Sequence, residues 1–224
     1  MPRTERVDIG DTVYHVINRA NARVQIFDTD QDYIAFEKVL AEAMKRESMR
    51  ILAYIIMPNH WHLVLYPRQD GDLSRFMRWL TMTHTQRWHA TRKTTGSGHL
   101  YQGRYKSFIC QTDEYFLQLV RYVERNALRA NLVKRAEEWR WSSIWRREKG
   151  THEQKTILST WPIEVPENYL SLVNSAQSEA EEEALCRAIV RGNPYGDESW
   201  QKEIVKKFKL ESTTRSRGRP RKGS

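Results

Sequence analysis

The chain has 224 residues, with 37 Lys and Arg against 28 Asp and Glu, a net charge of +9 and a pI near 9.6. That length holds one sizeable domain with an appendage, and so basic a balance favours an anionic partner, nucleic acid first. No apolar run approaches the ~20 residues of a membrane span, and the start MPRTER has neither an apolar signal core nor a myristoylation glycine, so a soluble, cytoplasmic (nucleoid-associated) protein is expected.

Residues 12–18 are rich in β-branched and aromatic side chains and read as a first strand. From Asp30, Tyr33, Phe36, Val39, Leu40 and Ala43 recur at three- and four-residue steps, the pattern of a helix with Thr29 as N-cap. Residues 51–57 and 60–66 form two more strands, joined as a hairpin by the Pro58-Asn59 turn. Helical spacing returns over 73–88. A flexible link at 94–98 leads to a fourth strand over 100–109, and Thr112 caps a helix whose first turn holds Asp113 and Glu114, where the helix dipole favours acids. The order β-α-β-β-α-β-α predicts an α+β fold, a ferredoxin-like or RRM-like antiparallel sheet with helices packed on one face, plus a small helical C-terminal extension.

Trp139, Trp141, Trp145 and Trp161 are expected to close one end of that core. Beyond residue 175, a helix over 179–191 ends at Gly192, and Asp197 caps another with Trp200, Ile204 and Phe208 on one face. The two are compatible with a helix-turn-helix. The chain thus divides into a main domain (1–145), a connecting segment (146–175), a helical extension (176–210) and a basic tail (211–224) too poor in apolar residues to fold alone. Within that tail, Arg217-Gly-Arg219-Pro resembles an AT-hook core, whose arginines enter narrow minor grooves.

The chemistry concentrates at His60-Trp61-His62. Side chains alternate along a strand, so both imidazoles face one way with Trp61 behind them, which is half a metal site. Cys110 and Cys186 have no C-x-x-C spacing and indicate neither a disulfide framework nor a cysteine zinc site. In the helix after Thr112, Tyr122 and Asn126 lie one turn apart on the flank of the apolar arc. His60, His62 and the Asn126 carbonyl oxygen can hold a divalent ion, with Tyr122 as nucleophile. Such an ion stabilises charge at a phosphodiester under in-line attack. Tyr115 is a rival nucleophile and Gln118 a rival ligand, and the sequence leaves both open. The chain lacks a G-x-x-x-x-G-K-[ST] phosphate loop, in keeping with chemistry that uses no nucleotide cofactor.

Residues 73–112 contain no acid, yet carry Arg75, Arg78, Arg87, Arg92, Lys93, Arg104 and Lys106. Phe76, Trp79, Trp88, Tyr101, Tyr105 and Phe108 are interleaved, a mixture suited to phosphates and unpaired bases. Arg121, Arg125 and Arg129 beside the nucleophile form a second basic set that can fix a DNA backbone.

These motifs together resemble the single-tyrosine HUH transposases. Residues 57–64 (MPNHWHLV) look like the histidine-hydrophobic-histidine strand, and 121–130 (RYVERNALRA) like the nucleophile helix. More narrowly, 14–19 (YHVINR), 102–107 (QGRYKS) and 141–143 (WSS) are similar to REP-associated tyrosine transposases. The resemblance spans roughly residues 2–145. It implies a ferredoxin-like fold, Mg²⁺ or Mn²⁺, and cleavage of single-stranded DNA near a hairpin through a 5′-phosphotyrosine. By position, His60 and His62 match the metal histidines, Tyr122 the nucleophile and Asn126 the third ligand. Ala127 stands where the family has proline, so the helix is expected to run on. A noncatalytic hairpin-binding regulator and an RNA-binding module or hydrolase are the alternatives, and the protein is expected to act as a monomer or homodimer.

Overall fold

The computed structural model describes residues 6–214; Arg217, Arg219 and the AT-hook-like stretch lie outside them. β1 (Val13–Arg19), β2 (Arg50–Met57), β3 (His60–Tyr66) and β4 (Lys106–Cys110) make one antiparallel sheet in the order β2-β3-β1-β4. Between the strands run α1 (Asp30–Glu47) and α2 (Asp72–Arg92), which gives the split β-α-β arrangement of a ferredoxin-like fold. The Asp32 carboxylate accepts a hydrogen bond from the Thr29 backbone N–H, so the expected cap of α1 is in place.

Strand period two sorts the side chains between two cores. Tyr14, Val16, Tyr54, Ile56, Trp61, Leu63 and Leu65 face α1 and α2. Val13, Leu52, Ile55, Met57, Val64 and Phe108 face the other way. The predicted fold class holds, but a second layer lies on the far face of the sheet. It is built on α3 (Glu114–Glu124), whose Phe116, Leu119, Val120 and Val123 are fully buried there. This two-sided cover explains why β2 is an almost unbroken apolar run rather than an alternating one.

Several expected boundaries move. The fourth strand is shorter than 100–109, because Leu100 and Tyr101 turn inward and only Tyr101 makes a bridge, to Ala20. Asp113 rather than Thr112 caps α3, its carboxylate accepting from Tyr115 N at 2.9 Å. The helix does continue past Ala127, through an irregular turn at Arg125 into α4 (Asn126–Arg129).

The segment after α4 wraps the β2 edge. Ile56 N donates to Trp141 O (2.9 Å), Trp139 Nε1 to Ile56 O (2.9 Å) and Trp161 Nε1 to Leu52 O (2.9 Å), while Trp141 stacks on Tyr33 at 4.6 Å. These tryptophans satisfy and cover strand edge groups that would otherwise remain open. Trp145 sits outside them, under the Arg140 guanidinium. α5 (Ser143–Lys149) crosses the expected boundary at 145, and the connecting segment also holds α6 (His152–Lys155) and α7 (Tyr169–Asn174).

In the C-terminal part, α8 (Glu179–Arg191) ends at Gly192 with φ 76°, a left-handed cap that favours glycine. α9 (Glu198–Lys207) is capped by Asp197, which accepts from Trp200 N at 2.9 Å. These helices do not form the compact helix-turn-helix unit that their spacing allows. Tyr195 between them pairs with the β4 edge through Tyr195 N→Ile109 O (2.8 Å) and Gln111 N→Tyr195 O (2.9 Å). Leu185 and Ala188 of α8 then pack in the α3 layer, whereas Trp200, Ile204 and Phe208 pack toward the α1–α2 core. Residues at the head of the expected tail form a last turn, α10 (Glu211–Thr214). Among the described residues no helix is long and apolar enough to cross a membrane.

Candidate active site

The β2–β3 turn places the histidine pair. Pro58 O accepts from Ile26 N and Phe27 N, and Asn59 O from Ala20 N (2.9 Å), so the turn that carries His60 is tied to the chain following β1. His60 and His62 project to the α3 face with ring centroids 5.1 Å apart, and Trp61 is buried on the opposite face, as the alternation requires. α3 lies across them. The His62 and Tyr122 rings meet edge-on at 6.1 Å, and Asn126 Nδ2 donates to His62 Nε2 at 3.2 Å.

The position of α3 is itself fixed by a buried carboxylate. Glu124 Oε1 accepts from Ser143 Oγ (2.5 Å) and Arg147 Nη1 (2.6 Å), and Oε2 from Tyr169 Oη (2.5 Å). Ser143 Oγ in turn accepts from Tyr54 N at 2.9 Å. One residue thus clamps α3 to β2 and to the segment around Ser143, and carries Tyr122 and Asn126 with it.

Tyr122, Asn126, His60 and His62 line a cleft of about 380 Å³ together with Arg19, Arg129, Ile17, Ala130, Cys186, Ile189 and Val190. No acid is among these residues. Arg129 lies over the Tyr122 ring at 4.1 Å, and the Tyr122 hydroxyl, in a residue only 5% exposed, is 3.9 Å from Cys186 Sγ on α8. Burial pushes the Tyr122 phenol above its usual pKa, against the lowering effect of Arg129. Burial also lowers both histidines, His60 to about 4 and His62 well below its ordinary value, with Arg19 and Arg129 adding to the effect. Both imidazoles are therefore neutral at pH 7, the form that binds a metal.

The donor set fits a divalent ion. His60 Nδ1 donates to Asn59 Oδ1 at 2.7 Å, and His62 Nδ1 lies 2.8 Å from His15 Nε2. Each ring has its inner nitrogen engaged, as metal-binding histidines usually have, and the hydrogen bond that His60 Nδ1 donates leaves its Nε2 as the bare nitrogen. Among the described residues no group of three or more His, Cys, Asp or Glu could hold a metal. Asn126 is in reach, and turning its amide by half a rotation replaces Nδ2 by Oδ1.

The rivals stand elsewhere. Tyr115 packs edge-on against Tyr195 at 5.3 Å, and Gln118 Oε1 accepts from Tyr195 Oη at 2.5 Å. The basic residues divide likewise. Arg125 is buried and donates to Val173 O (3.1 Å) and Ser175 O (2.5 Å), so it pins the chain after α7 and is not a surface contact. Arg121 donates to Leu172 O, Arg87 pairs with Glu42, Arg92 with Asp28 and Asp32, and Arg75 with Asp72 and Glu47. Arg78 and Arg104 line a broad groove beside α2, which continues past Tyr105 and Lys106 along β4 toward Val190 at the rim of the cleft. The aromatics expected to stack on bases are mostly core: Phe76, Tyr101, Tyr105 and Phe108 are buried, and Tyr101 Oη is shared by Trp61 and His84. His15, Arg19, Glu124 and Cys186 are the site residues that sequence reasoning missed. For His15 and Arg19 the available signal was strand phase, since both share the alternation of the β1 face that lies under α3.

The sequence profile of the family described as "Transposase IS200 like" matches residues 9–126, more than half of the chain, and the protein belongs to that family. No curated protein matches the sequence. The fold is similar to that of a REP-associated tyrosine transposase solved bound to a REP hairpin, with 17% identity and a TM-score of 0.56 over 69% of this chain and 90% of that one. A protein of Deinococcus radiodurans described by its crystallographers as a candidate transposase aligns at 16% identity and a TM-score of 0.40, over 58% of this chain and 95% of that one.

Proposed function

We propose that this protein is a metal-dependent single-tyrosine transposase that nicks single-stranded DNA beside a REP-type hairpin and transfers the strand through a 5′-phosphotyrosine on Tyr122. The observation that carries the proposal is the make-up of one cleft: a tyrosine, two imidazoles, an amide and two guanidiniums, with no acid among its lining. Family membership supports the same reading, as does a relative of the same fold that binds a REP hairpin.

Arg19 and Arg129 receive the scissile phosphate, since guanidinium groups match phosphate oxygens in charge and geometry. Arg78, Arg104 and Lys106 hold the adjoining backbone along the groove and the β4 edge. Tyr122 Oη attacks phosphorus; the Oη–P bond forms, the P–O3′ bond breaks, the phenol proton passes to water, and the departing oxygen takes a proton from water to leave as a 3′-hydroxyl. Arg129, over the ring, favours the phenolate that burial disfavours. His60, His62 and Asn126 would hold Mg²⁺ or Mn²⁺, which supplies charge neutralisation at the phosphoryl oxygens. Attack of another 3′-hydroxyl on the phosphotyrosine exchanges one ester for another, so no nucleotide cofactor is needed. Such a protein works in the cytoplasm at the nucleoid, as a monomer or homodimer.

The test is a denaturing gel of labelled single-stranded hairpins with Mn²⁺ or EDTA. The wild type should form a protein-linked 5′ end only with metal, and Tyr122→Phe should retain hairpin affinity and form none. Tight binding with no adduct under any metal would refute the enzyme and leave the hairpin-binding regulator, a reading that the α8 cover over Tyr122 favours. Preference for RNA of equal sequence would refute the DNA assignment.

A further inference from the structure

We propose that His15 is a positioning residue whose Nε2 accepts the Nδ1 proton of His62, fixing the tautomer that turns a bare His62 Nε2 into the cleft. This inference rests on the metal-binding reading of the histidine pair. His15 is fully buried on β1, in the row next to His62, with its Nε2 2.8 Å from His62 Nδ1. Its ring stacks on Phe108 at 4.8 Å and 30°, which sets the plane in which Nε2 is presented.

A neutral imidazole carries one N–H and one bare nitrogen, so the partner at one nitrogen decides the state of the other. Asn126 Nδ2 points at His62 Nε2 and needs an acceptor there; the His62 proton then sits on Nδ1, and His15 Nε2 is the atom that takes it. The consequence appears at the far side of His15, whose proton is driven onto Nδ1, and that atom is buried with no hydrogen-bond partner. Leaving a buried polar atom unmade costs stability. Nothing in its own surroundings compensates, but the orientation it gives His62 does so functionally. His60 receives the same service from Asn59, a surface turn residue, whereas His62, deeper in the sheet, can receive it only from a neighbouring strand.

The tautomer can be read without activity. In ¹⁵N-labelled, metal-free protein, long-range ¹H–¹⁵N spectra of the histidine rings should show His62 protonated at Nδ1 and His15 at Nδ1, unchanged when Mg²⁺ is added. A His62 protonated at Nε2 in both states would overturn the proposal. In Mn²⁺ titrations followed by the electron paramagnetic resonance of free ion, His15→Phe should weaken binding by about 10- to 100-fold, the usual effect of losing such an outer partner. His15→Gln, which restores an acceptor, should recover most of it, and hairpin affinity in EDTA should stay constant in both. Unchanged Mn²⁺ affinity in a folded His15→Phe would refute the role. Failure of the wild type to bind Mn²⁺ would instead refute the metal site itself, even with the tautomer as stated.

Discussion

Glu124 offers the strongest quantitative test of how the site is built. Its carboxylate is wholly buried and accepts from Ser143, Arg147 and Tyr169, joining α3, β2, α5 and α7 at one point. Glu124→Gln keeps the volume and one acceptor oxygen but removes the charge and turns an NH₂ toward a ring of donors. Breaking one partner of a buried ion pair costs about 3–5 kcal/mol, and the oxygen retained by glutamine should return part of that, so we expect a loss of about 3 kcal/mol. Tyr169→Phe removes one neutral donor from the same cluster and should cost about 1.5 kcal/mol. Because the two side chains share the carboxylate, the double variant should lose clearly less than the sum. Urea unfolding at pH 7 measures all three as midpoint shifts at constant slope. A loss below about 1 kcal/mol for Glu124→Gln, or strict additivity with Tyr169→Phe, would refute the claim that this carboxylate holds α3 in place.

Three further outcomes are expected. His84 is buried and hydrogen-bonded to Tyr101, and burial lowers its pKa from 6.5 to about 3; the unfolded chain therefore binds the extra proton first as pH falls below 6.5, and stability present above that pH is lost on acidification. From pH 7 to pH 5 its share is about 2 kcal/mol, so His84→Gln should flatten the urea-midpoint dependence by that amount, and an unaltered slope would exclude it. Cys186 is exposed and lies 3.9 Å from the Tyr122 hydroxyl; alkylation with a bulky maleimide should abolish nicking while Cys186→Ala resists the reagent and remains active. Finally, Arg78→Ala with Arg104→Ala should weaken hairpin binding and reduce the slope of log affinity against log salt by about 2, whereas Arg125→Ala should lower thermal stability with that slope unchanged.

How much of this was legible in the sequence follows from the range of the interactions involved. Period two put His60 and His62 on one face, the i, i+4 rule put Tyr122 and Asn126 on one flank, and the caps at Thr29 and Asp197 marked helix starts, because each depends on backbone geometry within a single element. The choice of Tyr122 over Tyr115 and of Asn126 over Gln118 did not, since both pairs share the flank and only the tilt of α3, held by Glu124, decides which reaches the histidines. Arg125 reads as one basic residue among several in a helix, yet it is buried against carbonyls some fifty residues away, at Val173 and Ser175. The aromatics among the arginines of 73–112 face inward because the sheet has a core on each side, which no local pattern announces. His15 meets His62 through strand register across 47 residues. Local pattern thus sets the elements and the chemical parts they carry, whereas which parts meet depends on pairing, burial and helix tilt, all of them settled by contacts between residues distant in the chain.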